Sequence, residues 1–100
     1  MEQLKQTVRQ FVEARGWEGQ YALQKDLALS LTLEASELLE CFQWKTSEEA
    51  VTANRAEILD ELADVFIYAI QMADAMDVSV ETIVQDKLAK NARKYPAKSI

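Results

Sequence analysis

From the N-terminus, Leu4, Val8, Phe11 and Val12 recur at steps of three and four. That spacing marks one face of a helix and predicts one over 2–15, closed by Gly16 at a C-terminal cap position. A loop from Gly16 to Tyr21 carries Trp17 and Gly19. A dense apolar run, including Leu27, Leu29, Leu31, Leu33, Leu38, Leu39 and Phe42, predicts a second helix from Leu23 to Lys45. Thr46-Ser47-Glu48-Glu49 reads as a break and a new start, with an N-cap hydroxyl and acids in the first turn. The third helix runs on to Met76, fraying around 51–55. Asp77-Val78-Ser79 is the next turn, and Ser79, Glu81 and Thr82 open a fourth helix that reaches Lys94. Tyr95-Pro96 closes it, because a residue before proline disfavours helix. Two glycines and one proline in 100 residues leave room for little besides long helices. The expectation is an all-α, four-helix bundle with no strands and no internal repeat.

Acids interrupt the apolar runs in a pattern. Glu34 and Glu37 sit in the middle of the second helix, a turn apart on one face. Asp26, Ser30, Cys41 and Trp44 extend the same stripe. The third helix is apolar nearly all round from Leu62 to Ala73, which is the pattern of a buried helix. One stripe breaks it: Glu57, Glu61, Asp64, Tyr68 and Gln71. Burying an ionised carboxylate costs several kcal/mol, and a group of them without a cation would take up protons instead. No lysine or arginine lies between Thr46 and Arg55 or in the apolar stretch after it. A hard divalent ion suits the gap, since magnesium takes oxygen ligands and keeps waters that a substrate can displace. Two facing helices, each with an acid pair at a spacing of three, can build such a cage. Glu40, Glu48, Glu49, Glu57 and Asp60 are expected on or near the surface.

Charge and composition narrow the chemistry. The net charge is −6, with 17 acids against 11 bases. An acidic surface repels phosphodiester backbones, so no nucleic acid polymer is expected as a partner. The absence of histidine removes imidazole metal sites and histidine bases. Catalysis then runs on carboxylates, lysines, tyrosines or a metal ion. Cys41 is alone and forms no intrachain disulfide. No apolar run approaches the length of a membrane span, and the first residues lack the core of a signal peptide. A cytoplasmic, single-domain protein spanning 1–100 is expected. So short a chain buries only roughly two-thirds of its unfolded surface, which makes self-association an expectation too.

Three segments carry a resemblance. Glu34-Ala-Ser-Glu37-Leu-Leu-Glu40-Cys-Phe-Gln-Trp44, Asp60-Glu61-Leu-Ala-Asp64-Val-Phe-Ile-Tyr68, and Lys87-Leu-Ala-Lys-Asn91-Ala-Arg-Lys94-Tyr95-Pro96 together resemble the MazG-like all-α nucleoside triphosphate pyrophosphohydrolases, nearest the short dCTP pyrophosphatase branch. The likeness spans Trp17 to Pro96. It implies that Glu34, Glu37, Glu61 and Asp64 bind metal, Mg2+ with Mn2+ as a substitute. It implies that Trp17, Trp44 and Tyr68 line a nucleotide pocket. Lys87, Asn91 and Tyr95 match phosphate- and sugar-side contacts, with Lys94 beside them, and Lys25 and Asp26 resemble a pair that opens the family's second helix. Ser36 departs from the glycine that many members carry. Trp17 lies one residue further from Glu34 than in human-type members. Members assemble as dimers or dimers of dimers, usually tetramers, with pockets between subunits.

The implied reaction cuts a (d)NTP to monophosphate and pyrophosphate, with dCTP or another deoxynucleotide as the expected substrate and nucleotide-pool cleaning as the role. Without histidine, proton removal falls to a glutamate, and Glu37 is the candidate catalytic base. The rival readings are a related enzyme for dUTP, a damaged nucleotide or phosphoribosyl-ATP, and a non-catalytic helical dimerisation or adaptor module. The last explains the apolar stripes but not the acids within them.

Overall fold

The computed structural model describes residues 1–98. Helix α1 spans Glu2–Ala14. Gly16 follows at φ 73, the left-handed region that glycine enters freely. Gly16 N donates to Glu13 O and Trp17 N to Val12 O, both at 3.0 Å, a Schellman closure that fixes the direction in which Trp17 leaves. One 3-10 turn, Glu18–Ala22, leads into α2, Gln24–Glu40. The second helix therefore stops short of Lys45. Its end tightens into i→i+3 bonds from Phe42 N to Leu39 O and Gln43 N to Glu40 O. Trp44 then turns left-handed at φ 62, and Thr46 leaves in extended conformation.

Among the described residues five α-helices form where the periodicity predicts four. The expected third helix is two, α3 (Ser47–Ala53) and α4 (Arg55–Ala75). Thr46 opens α3 with a capping box: Glu49 N donates to its Oγ1 and its own N donates to Glu49 Oε1, both at 3.1 Å. Asn54 is the joint between them. It leaves helical geometry at φ −119, ψ 26, and its Nδ2 donates to Cys41 O at 2.8 Å. One side chain thereby satisfies a carbonyl just past the end of α2 and ties the start of α4 to it. The turn at Asp77 is a second Schellman closure, with Asp77 at φ 55 and Val78 N donating to Ala73 O. Helix α5 follows, Val80–Lys94, with Ser79 as its N-cap.

Helices α2 and α4 are the main pair. Asn54 meets Cys41, Glu61 and Asp64 meet Glu34, and Gln71 meets Gln20, so the two run antiparallel. Helix α1 is pinned to α4 by Arg9 Nε donating to Asp74 Oδ2 at 2.8 Å, with the guanidinium over the Tyr21 ring. Val8, Val12 and Ile70 form the core here, with Tyr21 packed on them.

That core is small. Leu29, Leu33, Leu39 and Phe66 are exposed, as are Ile83, Val84 and Leu88 of α5. The radius of gyration is 16.5 Å, against about 13 Å for a compact domain of this length. Between α4, α5 and the start of α1 an apolar groove of about 690 Å³ is lined by Leu4, Phe66, Met72, Met76, Ile83 and Val84. No helix among the described residues is long and apolar enough to cross a membrane.

Candidate metal and nucleotide site

Steps of three put Glu34 and Glu37 on one face of α2, and Glu61 and Asp64 on one face of α4. The antiparallel pairing sets these faces against each other. Glu34, Glu61 and Asp64 each place a carboxylate oxygen within 4.8 Å of the others'. Glu34 Oε2 and Glu61 Oε2 are buried and accept no hydrogen bond. None of the ion pairs among the described residues involves these acids. Burial first, then the nearness and charge of Glu37 and the charges of Asp64 and Glu61, push the Glu34 carboxyl up to about 7. Burial, then Glu37 and Asp64, raise Glu61 as well.

Such a group resists holding all its negative charge unaided. The buried, unpartnered oxygens are what a hard divalent cation would satisfy, and carboxylate oxygens are its preferred donors. Three of the four expected ligands thus converge tightly. Glu37 stands beside them but is exposed, and with Glu61 it lines a second, open hollow of about 470 Å³ that also meets Glu40, Cys41, Asn54 and Glu57.

On the other side of the acids lies a cavity of about 210 Å³. Glu34 and Asp64 form one border, and Phe11, Trp17, Gln20, Tyr68 and Gln71 the rest. Trp17 and Tyr68, both expected at a nucleotide pocket, are therefore brought to the carboxylates. Phe11 holds Trp17 edge-on, with ring centroids 6.2 Å apart. Phe11, Gln20 and Asn54 are contributors that sequence reasoning did not place at the site. Phe11 reads as a core position, and Gln20 and Asn54 carry no local signal.

The remaining expected residues do not reach the carboxylates within one chain. Trp44 is 97% exposed and borders a separate hollow with Lys45, Thr46, Glu48 and Glu49. Lys25 is exposed in the first turn of α2. Lys87, Asn91 and Lys94 lie along α5 and Tyr95 caps its C-terminus; the helix meets its own chain at the start of α1, where the Met1 amino group pairs with Glu81 at 3.3 Å.

Human dCTP pyrophosphatase 1 is 35% identical over 102 residues, and the bovine protein of the same name 34% over 101. These cover 97% and 96% of this chain, which spans 59% of the length of either relative. The crystal structure of a pyrophosphatase from Archaeoglobus fulgidus superposes with a TM-score of 0.88 at 38% identity, covering 97% of this chain and 93% of that one. A sequence profile of the MazG-like family matches residues 29–99, which takes in both acid pairs and the whole of α4 and α5. The chain belongs to the MazG-like family.

Proposed function

We propose that this chain is a divalent-metal-dependent nucleotide pyrophosphohydrolase that converts a (d)NTP, dCTP above all, to monophosphate and pyrophosphate. The observation that carries it is the trio Glu34, Glu61 and Asp64, with two buried orphan oxygens, beside an aromatic-walled cavity. The relatives' names, dCTP pyrophosphatase and pyrophosphatase, point to the same chemistry.

Glu34, Glu61 and Asp64 would hold the ion, with Glu37 able to complete the set. Mg2+, with Mn2+ as substitute, would offset phosphate charge and lower the pKa of a bound water. Water attacks the α-phosphorus, its oxygen forms the new bond, and the α–β bridging oxygen leaves with pyrophosphate. Glu37 is exposed at the edge of the trio and accepts the water's proton. Trp17 and Tyr68 wall the base and sugar.

Trp44, Lys87, Asn91, Lys94 and Tyr95 act in an assembly, because one chain does not bring them to the acids. The exposed apolar side of α5 and the 690 Å³ groove favour a homodimer or a dimer of dimers in which they enter a neighbour's site. There Lys87 and Lys94 neutralise outer phosphate oxygens as point charges.

The deciding experiment is pyrophosphate release from a panel of (d)NTPs with Mg2+, Mn2+ or EDTA. Metal-dependent release is expected, with Glu37→Gln lowering it by about 10²–10⁴-fold. If no nucleotide is cut and Mg2+ leaves the melting temperature unchanged, an adaptor module assembling through its apolar faces takes its place.

A further inference from the structure

Resting on the nucleotide reading above, we infer that Arg9 is a positioning residue for the reaction: its bond to Asp74 latches α1 and the 3-10 turn onto α4, and so holds Trp17 in place as a wall of the 210 Å³ cavity. Arg9 Nε donates to Asp74 Oδ2 at 2.8 Å, across 65 positions of sequence. The guanidinium lies 4.0 Å from the centre of the Tyr21 ring. Tyr21 packs on Val8, Val12 and Ile70, and its hydroxyl finds no hydrogen-bond partner, so it serves there as a ring alone. One side chain of α1 thus grips α4 through Asp74 and the 3-10 turn through Tyr21. Among the described residues no other ion pair or side-chain hydrogen bond joins α1 to α4.

The elements joined in this way are the ones that wall the cavity. Phe11 and Val12 come from α1, Trp17 and Gln20 from the 3-10 turn and the residue before it, and Ile67, Tyr68 and Gln71 from α4. Arg9, Tyr21 and Asp74 do not line it. The latch reaches the cavity in two steps. Arg9 fixes where α1 lies on α4, and the Schellman closure at Gly16 fixes how Trp17 leaves α1. Phe11, two residues from Arg9, backs the indole edge-on and is itself covered by the Arg15 guanidinium, 3.5 Å from its ring centre.

An ion pair is a poor choice here for stability alone. Its neighbours are Val8, Val12 and Ile70, and replacing a buried pair by apolar side chains of similar volume is often neutral or stabilising. Apolar contact lacks direction, whereas a charge-assisted bond and a flat stack set one distance and one angle. With so small a core beneath it, α1 takes its alignment from the pair. Asp74 lies about 15 Å along α4 from Asp64 at 1.5 Å per residue, too far for the pair to touch the acids. Its loss should therefore reach the reaction through the aromatic wall and not through the metal.

The test compares the wild-type protein with Asp74→Asn and with Arg9→Met/Asp74→Leu, which keeps the packing and discards the directed bond. Steady-state kinetics on dCTP with Mg2+ should show KM raised by about five- to hundredfold, the worth of one base stack, with kcat within about twofold of wild type. The rise in melting temperature on adding Mg2+ should be kept. In a Trp44→Phe background, where Trp17 is the one remaining indole, its fluorescence anisotropy without nucleotide should fall in both variants. Should Asp74→Asn fail to fold, the double variant decides alone. Unchanged KM and anisotropy in the double variant, or a kcat that falls with the melting temperature while KM holds, make the pair a structural brace and overturn the inference. If even the wild-type chain cuts no (d)NTP, the hydrolase reading falls by itself. Calorimetric dCMP binding that weakens in the double variant, together with the lower anisotropy, then still upholds the latch, and binding that does not weaken overturns it.

Discussion

Glutamine in place of Glu34 should stabilise the metal-free protein and destroy its response to metal. The Glu34 carboxyl is held at about 7 in the fold, against an ordinary 4.5, chiefly by burial and then by Glu37, Asp64 and Glu61. A raised acid favours the fold fully while protonated, below about pH 4.5, and that contribution drains away as pH rises through 7. Without solvent screening the displacement is worth about 3 kcal/mol at 1.36 kcal/mol per pH unit. Water reaches part of the cluster, and screening leaves about 1 kcal/mol. In a chain of this size that is about 4–8 °C of melting temperature. Thermal unfolding followed by circular dichroism in EDTA at pH 8 should therefore place Glu34→Gln about 4–8 °C above wild type. The gain should shrink as pH falls below 5, where the native carboxyl is already neutral. Adding Mg2+ should invert the order, since only the wild-type chain keeps its full ligand set. Equal melting temperatures in EDTA at pH 8, or a gain as large at pH 4.5, would refute the view that these acids repel one another in the fold.

Mg2+ should raise the wild-type melting temperature with the logarithm of its concentration, as for any ligand that binds only the fold. Asp64→Asn should flatten that titration, and an unchanged slope removes Asp64 from the ligand set. Thr46→Ala breaks the capping box of α3 and should cost about 1 kcal/mol, with Thr46→Ser restoring most of it on the same melting curve. Hundredfold dilution should lower the melting temperature and the sedimentation coefficient together, because the apolar side of α5 has little to pack on in its own chain; a midpoint independent of concentration counts against assembly.

Helix periodicity placed most of the secondary structure, because amphipathic spacing is a local property. Both Schellman turns fall where the sequence marks a turn, at Gly16 and Asp77. The sequence marked only a fraying at 51–55 where α3 and α4 separate: Ala-Asn-Arg carries no strong breaker, and Asn54 leaves the helix where its side chain donates to Cys41 O, distant in sequence. The acid trio was readable because carboxylates in an apolar stripe are costly wherever the helix packs. Glu37 looked equivalent to Glu34 by spacing, and only the helix pairing makes one half-buried and the other exposed. Gln20 was out of reach, since it matters only through its contact with Gln71. The residues of α5 were named by likeness alone, and within one chain they do not reach the acids.

Trp44 carries a conformational debt. A bulky side chain at φ 62 is disfavoured by about 1–2 kcal/mol, and at 97% exposure it recovers almost nothing by packing within the chain. Glycine would relieve that strain, at an entropic cost of about 0.4–1 kcal/mol in the unfolded state. The residue that best suits the backbone here is therefore not the residue present, and a screen for thermostability alone would be drawn to Trp44→Gly.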